Sequence, residues 1–145
     1  MQSWLVAPVL RYAVRRIRAG DHRLVAALDA DDVVLRFPGS NSFSGEFHGS
    51  GRHERWLARF AALGIQIYAD EIIAAGPPWR GTVCVRGSVY YRDRHGSIVY
   101  DNRYVIWSRT RWGRIAELEV YEDTRRADAF DAWLREHRPE LAAPV

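Results

Sequence analysis

The sequence predicts an α+β domain: a cone-shaped barrel of a curved, mostly antiparallel sheet wrapped by three or four helices. Three observations carry this. Helical apolar spacing dominates the first third of the chain, four β-rich runs then follow one another from Gln66 to Asp123, and one amphipathic helix comes after them. The 145 residues suit one domain, residues 1–137, with 138–145 expected to form a loose tail.

Pro8 fits the first turn of a helix, and Val9, Leu10, Ala13, Val14 and Ile17 continue it as an apolar stripe. Gly20 ends that helix, and Asp21 can cap a short second one, "DHRLVAAL". "DDVVLRF" reads as a strand stopped by the turn residues of "PGSNS", and "FSGEFHG" as a short extended piece. Ser50 is placed to cap a third helix, "GRHERWLARFAALG", which buries Trp56, Leu57, Phe60 and Ala61. The long runs "QIYADEIIAAG", "GTVCVRGSVYYRD", "SIVYDNRYVIWSRT" and "RIAELEVYED" are separated by "PPWR", "RHG" and "RWG". Links that short join antiparallel neighbours. "RRADAFDAWLREH" forms the last helix, capped by Asp123 or Thr124.

Charged residues make up 27% and hydrophobic ones 48%, an ordinary globular balance. No apolar run is long enough to span a bilayer, and the N-terminal segment lacks the basic region of a secretory signal, so no membrane partner is expected. Cys84 has no second cysteine to pair with, which suits a reducing cytoplasm. The net charge of +3 comes without a single lysine. The densest basic run, "RYAVRRIRAGDHR", reads as the solvated face of an amphipathic helix, so no nucleic-acid partner is expected.

The stretch "ELEVYED", residues 117–123, holds four carboxylates. Strand alternation puts Leu118 and Val120 on one face and Glu117, Glu119 and Tyr121 on the other. An unpaired carboxylate is costly in an apolar interior, so the apolar set should face inward and Glu117 and Glu119 outward, paired with arginines. Parity places Glu122 inward at the rim, and Asp123 serves as a helix cap. His53 shares the apolar face of the third helix and reads as a satisfied, half-buried histidine; His22, His95 and His137 read as solvated. No histidine pair has metal-ligand spacing, and no phosphate loop or nucleophile elbow is present, so neither metal nor cofactor is implied.

The ordered strings "RYAVRRIRAGD", "ADDVVLRFPG", "SGEFHG" and "YDNRYVIWSRTRWGRIAELEVYED" resemble the SnoaL-like and ketosteroid-isomerase-like branch of the nuclear-transport-factor-like superfamily, over roughly residues 8–135. The resemblance implies an apolar pocket between sheet and helices. It gives Tyr12 the place of an oxyanion-hole donor and puts His48 at the pocket mouth. It turns Asn102 and Tyr104 inward. The position of the isomerases' general base holds Phe37, which cannot take a proton. Arg86 and Ser88 fall near the Arg-x-Asp pair of limonene-epoxide hydrolases, with serine in place of aspartate, and their second aspartate falls on Val120. Polyketide cyclases of the SnoaL type use an acid late in the last strand, near Glu122 or Asp123.

These readings make Leu35, Phe37, Trp56, Phe60, Tyr90, Tyr104, Ile106, Leu118 and Val120 the expected pocket lining. Arg86 is a further ligand contact if it faces inward, although Val83, Val85 and Val89 are equally good core residues of the same strand. The expected ligand is a hydrophobic, oxygenated small molecule of polyketide, terpenoid or steroid type. Tyr12, Asn102 and Tyr104 would polarise a carbonyl, and Glu122 or His48 would move the proton in a cyclisation, isomerisation or hydration. The alternative is a non-catalytic ligand-binding or dimerisation module. A homodimer is expected through the outer sheet face, where Trp107 would supply apolar area.

Overall fold

A computed structural model describes residues 3–144, with side chains from Leu5 onward. In chain order the elements are α1 (Ser3–Arg18), α2 (Arg23–Ala27), β1 (Asp29–Phe37), β2 (Gly45–His48), α3 (Ser50–Ala62), β3 (Gln66–Ala75), β4 (Gly81–Arg92), β5 (Ile98–Arg111), β6 (Arg114–Glu122) and α4 (Thr124–His137), with a 3₁₀ turn at Pro139–Leu141. The strands form one curved sheet in the order β2-β1-β6-β5-β4-β3. All neighbours are antiparallel except β1 and β6, which run parallel. The sheet does not close into a barrel: β2 and β3 remain its edges. No helix among the described residues is long and apolar enough to cross a membrane.

Burial alternates along the strands and divides the sheet into two faces. On β4 it is Val83, Val85, Val89 and Tyr91 that are buried; on β5 it is Tyr100, Asn102, Tyr104, Ser108 and Thr110. α1 packs on β3, α3 on β1 and α4 on β5, so the helices cover this inner face. The hairpin joining β5 to β6 turns on Trp112 and Gly113, both at positive φ (53° and 76°), as a type I′ turn requires.

Several boundaries differ from the sequence reading, for local reasons. α1 starts at Ser3, so Pro8 lies inside the helix rather than in its first turn. The apolar stripe extends upstream through Val6 and Ala7, and packing of that stripe offsets the one backbone bond that proline removes. α3 is preceded by Gly49 as its N-cap, with Ser50 already helical and no side-chain cap. His22, not Asp21, stands at the N-cap of α2, yet the Asp21 carboxylate still accepts from the Arg23 amide at 3.1 Å. Asp123 caps α4 as expected, accepting from the amides of Arg125 (3.0 Å) and Arg126 (3.4 Å).

Two arginines of the basic run reach back to the sheet instead of into solvent. Arg11 donates to the carbonyl of Ala69 at 2.5 Å, and Arg18 to that of Ile67 at 2.7 Å while lying 4.3 Å from the centre of the Tyr68 ring. Both carbonyls belong to the free edge of β3, so α1 satisfies and blocks an edge that would otherwise pair with another chain. The C-terminal segment expected to be loose is also tied down. Arg59 donates to the Leu141 carbonyl through Nε (3.1 Å) and Nη2 (2.7 Å), and Ala142 is buried.

Candidate functional site

Between the sheet and the helices lies a cavity of about 320 Å³ whose walls are overwhelmingly apolar. One wall is aromatic: Trp56 stacks on Phe60 (ring centres 5.3 Å apart) and touches Phe37 (5.2 Å) and Phe43 (5.8 Å). The Trp56 Nε1–H donates to the Phe43 carbonyl at 3.0 Å, which fixes the indole and satisfies its one donor. Leu5 and Val9 line the cavity and are also exposed, so it reaches solvent beside the N-terminal half of α1.

Of the residues singled out from sequence, Leu35, Phe37, Trp56, Phe60, Tyr104, Ile106, Leu118, Val120 and Glu122 all border this cavity. Four others do not. Tyr12 is 49% exposed: Ala13 and Ile17 mark the buried line of α1, and one residue of helix rotation carries Tyr12 off it, beside Arg15. His48 lies on the outer face of edge strand β2, with its Nε2 2.7 Å from Glu46. Arg86 and Tyr90 also face outward, because the valines of β4 take the inner positions. Arg86 pairs with Glu71 at 2.8 Å, and Tyr90 stacks on Tyr68.

Asn102 and Tyr104 are turned inward, but their polar atoms are already engaged. The Asn102 amide donates to the Tyr100 hydroxyl (3.0 Å) and the Asp123 carbonyl (2.9 Å), and its oxygen accepts from the Arg103 amide (2.8 Å). It therefore ties β5 to the junction of β6 and α4. The Tyr104 hydroxyl donates to the Tyr68 carbonyl at 2.8 Å. That contact needs two further features: a bulge in β3 between Ala69 and Glu71, and Gly87 on the intervening strand. A Cβ at Gly87 would lie 1.8 Å from the Tyr68 carbonyl oxygen and 2.6 Å from the Tyr104 hydroxyl. Neither residue has a hydrogen-bond donor to spare for a ligand carbonyl.

Glu122 is different. It sits on the inner face at the end of β6, opposite Tyr104 in register, and its Oε1 is buried with no hydrogen-bond partner among the described residues. Burial raises its pKa from the ordinary 4.5 to about 7; the Tyr100 hydroxyl partly counteracts this, while the charges of Asp128 and Asp123 add to it. Burial likewise pushes the Tyr100 hydroxyl upward, so Tyr100 stays a neutral donor. A carboxyl half-protonated near neutrality can both give and accept a proton. Glu117 lies on the outer face, paired with Arg36 at 3.3 Å, and Glu119 lies on that same face beside Tyr121. Parity along this strand holds to the rim, and its irregularity falls at the other end. A bulge near Ala116 turns Ile115 inward.

The sequence reading missed one polar pair. His53 borders the cavity, and its Nδ1 lies 2.6 Å from Oδ2 of Asp29, the first residue of β1. Both side chains are almost wholly buried, at 2% and 0% exposure. The available signal was a histidine on the apolar face of α3, which needs a partner. The partner could not be chosen among Asp29, Asp31 and Asp32 until β1 was seen to begin at Asp29. Asp131 is a second buried acid at the cavity wall. It accepts from the backbone amide of Ser42 (3.1 Å) and from its hydroxyl, and pairs with Arg135 (2.7 Å), fastening the 38–44 loop to α4.

No protein-family model matches the chain, and no curated protein matches it. Solved structures do. A cystatin-like-fold protein of unknown function from Xanthomonas campestris superposes with a TM-score of 0.68 at 23% identity, over 90% of this chain and 98% of that one. This chain has the NTF2-like, cystatin-like fold. An NTF2-like protein of unknown function from Burkholderia pseudomallei gives a TM-score of 0.68 at 21% identity, over 83% of this chain and 92% of its own. TerC, co-crystallised with polyporic acid, gives 0.64 at 19% identity over the same shares of the two chains. The NTF2-like fold is thus common to chains of very different sequence, and the functional argument rests on the cavity itself.

Proposed function

We propose that this chain is a SnoaL-like pocket protein that takes up a hydrophobic, oxygenated small molecule and moves a proton on it through Glu122. The observation that carries the reading is a carboxyl with a pKa of about 7 at the wall of a largely apolar cavity. The walls supply affinity by apolar burial, and Glu122 is poised as the acid or base of an isomerisation, cyclisation or hydration. TerC, a structural neighbour co-crystallised with polyporic acid, supports a small-molecule role. The test is native mass spectrometry against a panel of hydrophobic ketones and phenols, followed by turnover of the bound members. Glu122→Gln should keep binding and slow turnover about 100-fold. Equal turnover by the variant would contradict the reading.

A second reading, a binding module without catalysis, is favoured by the engagement of Asn102 and Tyr104, which leaves no amide or phenol free to polarise a carbonyl. It predicts binding without conversion of any panel member. We also propose a homodimer through the outer sheet face. Trp107 (46% exposed) and Tyr121 (54% exposed) stand there beside Arg109, Glu117 and Glu119, a mixture that suits self-association about a two-fold axis. Sedimentation should show a dimer that Trp107→Glu converts to monomer; identical profiles would count against it. A cytoplasmic setting is part of this proposal, supported by the unpaired Cys84.

A further inference from the structure

The cavity has another polar group, His53, far from Glu122. Asp29 pairs with Ile115 near the start of β6, and Glu122 ends that strand. Allowing for the bulge between them, their backbone positions are roughly 20 Å apart along the strand. Glu122 therefore cannot serve a reacting atom held at His53.

We propose that His53, oriented by Asp29, is a general base at this other end of the cavity, acting on an acidic O–H or C–H of an apolar ligand. The inference rests on the pocket reading above but not on Glu122. Its basis is geometric. In the neutral ring, with Nδ1–H donating to the Asp29 carboxylate at 2.6 Å, the lone pair is on Nε2. That nitrogen has no hydrogen-bond partner among the described residues, and His53 borders the cavity. Asp29 lies behind the ring, with its second oxygen, Oδ1, buried and unpartnered, so the carboxylate orients the imidazole and faces the charge formed when Nε2 takes a proton. Thr110 pairs with Ile115 in the same cross-strand row as Asp29 and borders the cavity, with its own hydroxyl buried and unpartnered among the described residues. In the step itself, the ligand's proton passes to Nε2 and its electron pair remains on the ligand as an enolate or phenolate. No oxidant or second reactant is required.

The test uses 5-nitrobenzisoxazole, an apolar carbon acid. A base removes its C3 proton, the C–H electrons form the nitrile, the N–O bond breaks, and the phenolate leaves and is read by absorbance. N-phenyl-1-naphthylamine fluorescence reports occupancy of the cavity in parallel. The wild-type chain should catalyse the elimination. His53→Gln should lower the rate about 100-fold with N-phenyl-1-naphthylamine still bound, while His48→Gln, on the outer face, leaves it unchanged. Asp29→Asn should also slow it: an amide donating to Nδ1 moves the imidazole proton to Nε2, a tautomer change visible by ¹⁵N NMR even where His53→Gln does not fold. Retained elimination in His53→Gln or in the tautomer-shifted Asp29→Asn overturns the base assignment and leaves the pocket reading standing. Failure of the naphthylamine to bind the wild-type chain overturns both.

Discussion

Replacing Glu122 with glutamine removes a proton-binding group whose affinity differs between the folded and unfolded chain. The unfolded carboxyl titrates near 4.5 and the folded one near about 7. Below 4.5 it is neutral in both states and folding carries no penalty from it. Between 4.5 and about 7 the unfolded chain releases the proton and the folded chain keeps it, so stability falls as pH rises; above that the loss is complete. Each tenfold difference in proton affinity is worth about 1.4 kcal/mol, so the total is at most about 3.5 kcal/mol, reduced by whatever solvent reaches the group. Glutamine has no such dependence. Urea melts from pH 4 to pH 8 should therefore show Glu122→Gln gaining on the parent chain as pH rises, with the gain levelling off above neutrality. Other titrating groups largely cancel in the difference. Parallel stability profiles for the two proteins would mean that Glu122 is solvated, and the argument for a poised acid would fail.

Other substitutions test how the site is held. Gly87→Ala places a methyl against the Tyr68 carbonyl and the Tyr104 hydroxyl, and should destabilise by about 3 kcal/mol in chemical denaturation. Tyr104→Phe removes only the hydrogen bond to Tyr68, so it should cost about 1 kcal/mol and leave ligand binding unchanged by titration. A large loss of binding would restore Tyr104 as a ligand contact. Asp123→Ala deletes the cap of α4 and should lower stability by about 1 kcal/mol, read from thermal melts.

The fold was largely legible because its signals are local. Strand runs separated by turn residues fix antiparallel neighbours, and the apolar alternation of Leu118 and Val120 orients β6 without any tertiary knowledge. The same parity placed Glu122 on the inner face. The polar residues were harder, since their roles depend on contacts between distant elements. Whether Tyr104 has a free hydroxyl is decided by a bulge in β3 and a glycine in β4. Arg86 faces outward because the valines of β4 cover the core, and the sequence left both phases of that strand open. Tyr12 lost its expected place through one residue of helical rotation. The His53–Asp29 pair joins a helix to the start of a strand 24 residues away, a proximity that no short-range pattern reports.

The central claim is that a small molecule occupies the cavity between sheet and helices. Val120 pairs with Ile106 across β6 and β5, and both border that space. A fluorescence titration of N-phenyl-1-naphthylamine should give saturable, one-site binding to the parent chain, and Val120→Trp, folded by circular dichroism, should abolish it by filling the space. Equal binding by Val120→Trp would place the ligand elsewhere and contradict the account.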